Sequence, residues 1–271
     1  MRLDSRVRLN KGTEMPWLGI GTYKLEPRET YRCVLEALEI GYRLVDTATY
    51  YRNEEEVGRA IRDSGLDREE VFVTTKVWNT DQGYESTLRA FQTSLRRLGT
   101  DHVDLYLVHW PVPGKYIDTW RALLDIYEKG EARGIGVSNF MEEHLDHLEE
   151  EWETIPAVNQ VEMHPHLFPR GLLDRCRRER IQPQAWSPLK QGQIASAPEL
   201  MEIGERHGKT PAQVSLRWIL QHGVSTIPRT RKREHMIENV DIFDFRLDAD
   251  EMERIDSMNR WERVGPDPRE I

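Results

Sequence analysis

Short apolar runs separated by amphipathic stretches recur along this chain from Trp17 almost to its end. Eight of the runs read as strands: LGIG (18–21), YRLVD (42–46), VFVTTK (71–76), VDLYLVH (103–109), ARGIGVS (132–138), AVNQVE (157–162), QPQAW (182–186) and VSTIP (224–228). The stretches between them carry apolar residues at three- and four-residue spacing, as in Leu88, Phe91, Leu95 and Leu98, or Leu123, Ile126 and Tyr127, which is the signature of helices with one buried face. Strict alternation of strand and helix predicts a parallel sheet with helices outside it. Eight such units in about 250 residues favour a closed α/β fold, the (β/α)8 TIM barrel, over an open doubly wound sheet. No G-x-G-x-x-G turn follows the first strand, which counts against a Rossmann unit. Ahead of the alternation, Val7 to Asn10, Lys11-Gly12 and Thr13 to Pro16 read as a β-hairpin, a plug or lid. Extra helices are expected near the C-terminus. Residues 1–271 show no repeat and no low-complexity linker, so one domain is predicted.

Composition narrows the class. Hydrophobic residues are 38% and charged residues 31% of the chain, a mix suited to a globular protein with a large core. A net charge of −9 argues against a broad nucleic-acid interface. Cys33 and Cys176 lie far apart in helical contexts, so neither a disulfide framework nor a metal site is predicted. The N-terminus MRLDSRVRLN lacks an apolar core of the signal-peptide type, and no run is long enough to span a bilayer. The expectation is a cytoplasmic protein with no membrane partner.

In such a barrel the reactive side chains gather at the C-terminal ends of the strands. The second strand ends at Asp46 with Tyr51 close behind, the third at Lys76, the fourth at His109 and the fifth at Ser138-Asn139, while the sixth carries Asn159-Gln160. An acid, a phenol, an ammonium and an imidazole from consecutive strands make a proton-transfer set. Each also has a plainer reading: Asp46 and Lys76 as a structural ion pair, His109 as a satisfied core histidine, Tyr51 as a half-buried aromatic. A carboxylate leaving a buried strand needs a partner in any case, and Lys76 is the candidate.

The segments MPWLGIGTY, GYRLVDTATYYRNEEEVG, VFVTTKVW, DLYLVHWP, GIGVSNF, VNQVEMHP, WSPL and IPRTRKREHMIEN resemble, in order, the signature segments of the aldo-keto reductases. The resemblance runs from about Val7 to Pro268 and implies reduction of aldehydes and ketones by NADPH bound across the barrel mouth. It implies a tetrad of Asp46, Tyr51, Lys76 and His109. Tyr51 is then the proton donor, and its phenol, with an ordinary pKa of about 10, would be made more acidic by Lys76, itself held by Asp46. His109 would be a neutral hydrogen-bonding group that orients the carbonyl.

The same resemblance places cofactor contacts. Gly21 and Thr22 fall among them; Ser138, Asn139 and Gln160 match residues that hold the nicotinamide carboxamide. Trp186 stands where a stacking tyrosine is usual, and Ser187, Leu189 and Gln191 lie in a pyrophosphate loop. Arg229 and Thr230 replace the usual lysine and serine at the 2′-phosphate, with Arg231 and Lys232 as additional cations, and Glu238 and Asn239 match adenine contacts. His235 replaces a common arginine, which predicts a weaker preference for NADPH and some use of NADH. Tyr23, Trp78 and Trp110 match pocket aromatics, whereas Trp120, Trp152 and Trp218 read as core. The tail after Met258 is short, implying an open mouth and broad tolerance for carbonyl compounds, as in bacterial 2,5-diketogluconate reductases; Trp261 within it reads equally as pocket wall or surface. Two rival readings are an aldolase using Lys76 as a Schiff-base nucleophile and a nicotinamide-binding regulatory module. A monomer is expected.

Overall fold

The computed structural model describes all residues, Met1–Ile271. A two-stranded antiparallel hairpin, β1 (Arg6–Arg8) and β2 (Glu14–Pro16), precedes an eight-stranded parallel sheet. The sheet runs in chain order through β3 (Ile20–Gly21), β4 (Leu44–Asp46), β5 (Phe72–Val77), β6 (Leu105–Val108), β7 (Ile135–Ser138), β8 (Val158–Glu162), β9 (Gln182–Trp186) and β10 (Ser225–Thr226). Its two edges meet. Gly19 N–H donates to Thr226 C=O at 2.9 Å, Thr226 N–H to Trp17 C=O at 2.9 Å, and Gly21 N–H to Pro228 C=O at 3.2 Å, closing the sheet into a barrel without a free edge. All eight strands predicted from the apolar runs are present.

Helices α1 (Pro27–Ile40), α2 (Glu54–Asp63), α3 (Tyr84–Leu98), α4 (Tyr116–Glu128), α5 (Glu142–Glu151) and α6 (Arg170–Glu179) follow the first six barrel strands. Four more complete the chain: α7 (Pro198–His207), α8 (Pro211–Gln221), α9 (Arg233–Val240) and α10 (Ala249–Asp256). Because α9 packs between α8 and α1 in the outer ring, the supernumerary pair is α7 and α10, which pack on each other around Leu200, Ile203 and Ile255. No helix is long and apolar enough to cross a membrane.

Local chemistry sets the boundaries. Helix α1 begins with Pro27 at its first turn and a reciprocal Glu26/Glu29 capping box, and it ends at Gly41, whose φ of 115° lies in the region that a side chain disfavours. Helix α8 starts the same way, with Pro211 behind the capping pair Thr210 and Gln213. Asn53 occupies the cap position of α2 but does not cap it with its side chain. It is buried and bonds instead to Thr22 C=O at 3.0 Å and to Thr30 Oγ1 at 3.1 Å, while accepting from Thr47 Oγ1 at 2.8 Å. The loops after β3 and β4 are thereby tied together beside the site.

The main apolar core lies between sheet and helices, and it includes Phe91, Trp120 and Phe140. Trp218 is fully buried in the cluster beneath α7, α8 and α10, whereas Trp152 is only partly buried. A third cluster joins Leu9 and Met15 to Leu44, Phe72, Leu105, Leu107 and Val158, so the hairpin is a plug in the N-terminal end of the barrel. The opposite end is left to polar residues. Both cysteines are free and buried, and burial pushes the Cys176 thiol up to about 12, which keeps it unreactive.

Candidate active site

Asp46 is the last residue of β4, and Tyr51 closes the short 3-10 turn that follows it. Lys76 lies in β5 and His109 just beyond β6. Parallel pairing brings these strand exits side by side. The Lys76 Nζ atom donates to Asp46 Oδ1 at 2.6 Å and to the Thr47 carbonyl at 2.9 Å, and it stands 3.5 Å from the Tyr51 hydroxyl. Its side chain is wholly inaccessible and that of Asp46 is 3% exposed. Burial pushes the Asp46 carboxyl up and the Lys76 ammonium down, and each partner opposes the other's shift. A charge pair in such a place is weak evidence for stability, but removing one member leaves a buried charge uncompensated, which typically costs about 3–5 kcal/mol.

The Tyr51 phenol does not follow the expectation of enhanced acidity. Burial, then the nearby Asp46 carboxylate and Tyr23, hold its pKa well above the ordinary value. Burial is the main reason, since it disfavours the phenolate, and the Asp46 carboxylate adds to it. Tyr51 is therefore protonated throughout the neutral range, the form a proton donor needs. Burial, and then the Lys76 charge, push His109 well below its usual pKa, so its imidazole is neutral as expected. The His109 Nδ1 atom is buried and has no partner within the protein.

Aromatic rings line the cleft around these groups. The Tyr23 ring lies 5.0 Å from that of Tyr51, and Trp78 meets His109 edge-on at 5.1 Å. Trp110 is buried, at the end of the strand exit that carries His109. Tyr50 stacks on Trp78 with ring centroids 3.9 Å apart while remaining 47% exposed, so it belongs to the same wall. In the sequence it is only the neighbour of Tyr51; the tight turn at 49–51 sends the two rings to different partners.

On the other side of the mouth, the residues expected at the nicotinamide form an internal network. Ser138 Oγ donates to the Gln160 carbonyl at 2.9 Å. Asn139 Nδ2 donates to the His109 carbonyl at 3.0 Å, and Asn139 Oδ1 accepts from Trp186 Nε1 at 2.9 Å. Gln160 Nε2 is 2.7 Å from both Asp46 Oδ2 and Gln184 Oε1. Gln160 thus reaches the second oxygen of the carboxylate that holds Lys76. Asn159 turns away, donating to the Phe140 carbonyl at 2.8 Å. Gly21 pairs with Asp46 across β3 and β4, and Thr22 Oγ1 donates to the Asp46 carbonyl at 3.0 Å.

Two loops flank this network. After β9, Ser187, Lys190, Gln191 and Gly192 have φ values of 51°, 46°, 55° and 89°. The Lys190 and Gly192 amides close internal turns on the Ser187 and Leu189 carbonyls at 2.9 and 2.7 Å, and backbone of this left-handed kind can present its remaining amides to an anion. Leu189 is partly buried against the core within the same loop. After β10, the half-buried Arg229 and the exposed Lys232 have no carboxylate partner, and burial, then Arg231, lowers the Arg229 pKa. Thr230 lies between these cations, its Oγ1 accepting from Lys232 N–H at 3.1 Å. Arg231 is otherwise engaged, donating to Glu29 Oε2 at 2.9 Å and to the Lys24 carbonyl at 2.7 Å. Arg233 pairs with Glu39 at 2.9 Å. His235 is exposed on α9, Asn239 is buried there, and Glu238 accepts from Thr210 Oγ1 at 2.5 Å. These loops fit an elongated phosphate-bearing group: one offers backbone amides, the other an uncompensated positive charge.

The Aldo/keto reductase family profile matches residues 17–260. This chain belongs to that family. As an aldo-keto reductase it is an oxidoreductase, and its relatives span it almost end to end. Glyoxal reductase of Bacillus subtilis (strain 168) is 53% identical over 270 residues, 99% of this chain and 98% of that protein. Methylglyoxal reductase DkgA of Salmonella typhimurium is 41% identical over 266 residues, covering 97% of this chain and 96% of that one. Among solved structures, a Gox0644 mutant in complex with NADPH superposes with a TM-score of 0.94 at 42% identity, covering 98% and 97% of the two chains.

Several residues of this reductase escape a reading of strand exits. Gln184, fully buried within β9, bonds Gln160 and reaches Met15 Sδ of the plug at 3.5 Å, so the network beneath Asp46 extends to the barrel floor. Glu162 ends β8 with a wholly buried side chain. An acid closing an apolar strand needs donors, and apart from the nearby His164 these lie about a hundred residues away. Trp261 is 65% exposed and stands at the surface.

Proposed function

We propose that this protein reduces aldehydes and ketones to alcohols with NADPH, Tyr51 giving the proton. The observation that carries the reading is the Lys76 ammonium, bound to Asp46 and the Thr47 carbonyl and 3.5 Å from the Tyr51 hydroxyl, at the mouth of the barrel. NADPH, when bound, supplies the hydride to the carbonyl carbon. As negative charge grows on the carbonyl oxygen, Tyr51 donates its hydroxyl proton there. The phenolate that remains is stabilised by Lys76, whose position Asp46 and Gln160 fix. His109, held neutral by burial, supplies a hydrogen bond that orients the carbonyl. Ser138, Asn139, Gln160 and Trp186 would hold the nicotinamide, the loop at 187–192 the pyrophosphate, and Arg229, Thr230 and Lys232 the 2′-phosphate, with His235, Glu238 and Asn239 at the adenine.

The substrates fitted best are small carbonyl compounds, because the aromatic rings of Tyr23, Tyr50 and Trp78 stand beside Tyr51 and His109 and two relatives are named for glyoxal and methylglyoxal. A Schiff-base role for Lys76 is disfavoured by its geometry, since its three donor directions are directed at Asp46, Thr47 and Tyr51 and none of the side chain is accessible.

The test is Tyr51→Phe, followed by the loss of reduced-nicotinamide absorbance with methylglyoxal or an aromatic aldehyde. Turnover should fall about 10²–10⁴-fold, the usual worth of a positioned acid, with NADPH affinity nearly unchanged. Substantial turnover in the variant would remove Tyr51 from the role.

A further inference from the structure

The segment from Asn259 to Gly265 lies over the exits of β8 and β9, and it is fastened there at several points. Asn259 Oδ1 accepts from Phe168 N–H at 3.1 Å, and the Arg260 and Glu262 amides both donate to the His166 carbonyl at 3.1 Å. Glu262 also pairs with Lys190, in the left-handed loop after β9. The deepest anchor is Glu162. Its Oε1 accepts from the Val264 amide at 2.6 Å and lies 3.0 Å from His164 Nε2, while its Oε2 accepts from the Gly265 amide at 3.1 Å. A fully buried carboxylate is costly without donors, and here both oxygens are directed at two successive tail amides.

The consequence falls on Trp186. A Cβ at residue 265 would stand 2.6 Å from Trp186 Cη2 and 3.4 Å from Trp186 Cζ2, so Gly265 is pressed flat against the benzo edge of the indole. The indole N–H is held at 2.9 Å by Asn139. The ring is thus fixed at two places by groups far apart in the chain, Asn139 and Gly265.

We propose that Glu162 is a positioning residue for the nicotinamide half of the cofactor: by drawing the tail down, it makes Gly265 fix the plane of Trp186. This rests on the NADPH reading above and adds to it a carboxylate and a glycine outside the residues assigned there to cofactor and substrate. The Glu162–Gly265 contact acts at the nicotinamide end; the tail's other tie, Glu262 on Lys190, reaches the 187–192 loop, and the cations at 229–232 belong to a different loop again.

Isothermal titration of NADP⁺ and of 2′,5′-ADP, which lacks the nicotinamide, separates the two ends in wild type, Glu162→Gln and Gly265→Ala. Residue 265 has no left-handed backbone, so alanine there acts through its contacts, mainly with Trp186 at 2.6 Å and more loosely with Glu162 Oε2 at 3.4 Å, the two groups the proposal links. Both variants should weaken NADP⁺ about three- to tenfold, the worth of an aromatic stacking contact, and leave 2′,5′-ADP within about twofold. Equal weakening of the two ligands, or unchanged NADP⁺ affinity, overturns the proposal. Wild-type protein that binds NADP⁺ no more tightly than 2′,5′-ADP overturns it too. Wild-type protein that binds neither removes instead the cofactor reading on which it rests. Should Glu162→Gln fail to fold, Gly265→Ala, at a partly exposed tail position, decides the matter alone.

Discussion

The two halves of the barrel mouth are built on opposite plans. Asp46, Lys76 and His109 are buried and Tyr51 is half-buried, with Lys76 bonded to Asp46 and close to the Tyr51 hydroxyl, whereas the loops at 187–192 and 229–239 carry exposed cations and left-handed backbone. The contrast teaches that the proposed chemistry is set before any ligand arrives, while binding strength is left to residues with unfilled capacity. Preorganised charges in a water-poor site need no rearrangement at the moment of reaction. Loops that receive an anion, by contrast, must keep their positive charge uncompensated until it binds.

The harshest way to break this comparison is Lys76→Met. Losing the ammonium leaves Asp46 buried with only Gln160 for a donor, and the folded state should lose about 3–5 kcal/mol, read as a lower urea midpoint, together with nearly all turnover. A variant of wild-type stability would mean that Asp46 is neutral in the folded protein. Arg229→Ala should do the reverse, sparing the fold and weakening NADPH by about ten- to a hundredfold through a lost charge-assisted contact, with NADH nearly unaffected. Equal losses for both cofactors, in direct binding measurements, would place Arg229 away from the 2′-phosphate. Because Arg231 and Arg233 are already paired with Glu29 and Glu39, the same titrations in wild type should show a modest NADPH preference.

The smallest effect expected is on acid stability. Since burial depresses the His109 pKa well below 6.5, the unfolded chain takes up a proton below about pH 6.5 that the folded chain refuses. The stability associated with neutral His109 is therefore full above that pH and is lost as pH falls through the folded-state pKa. Urea midpoints of wild type and His109→Gln, compared from about pH 7.5 down to about pH 5, should converge as the pH drops. Parallel curves would show that His109 is already free to charge in the fold.

Legibility divides along a related line. The eight strands were visible because a parallel barrel buries both faces of each strand and so writes continuous apolar runs, and the four polar exits stood out against them. The hairpin was visible too, though its place in the N-terminal end of the barrel was not. Tyr50 was hidden by its neighbour, because only the turn at 49–51 decides which ring stacks on Trp78. Asn53 stands at the cap position of α2 but ties two loops together, since buried partners from the loops after β3 and β4 are within reach. The acidity expected of Tyr51 failed for a reason of the same kind: Lys76 was foreseen, but the burial that raises the phenol's pKa is decided by the fold.

The sequence by itself determined the alternation of strand and helix, the order of the polar exits and the resemblance to the aldo-keto reductases, because burial and periodicity are written locally. Only the tertiary structure decided which donors meet which acceptors: Gln160 on Asp46, Arg231 on Glu29, and Glu162 on the amides of Val264 and Gly265. A hydrogen bond joins atoms within about 3 Å irrespective of their separation along the chain, and nothing in local periodicity encodes that meeting.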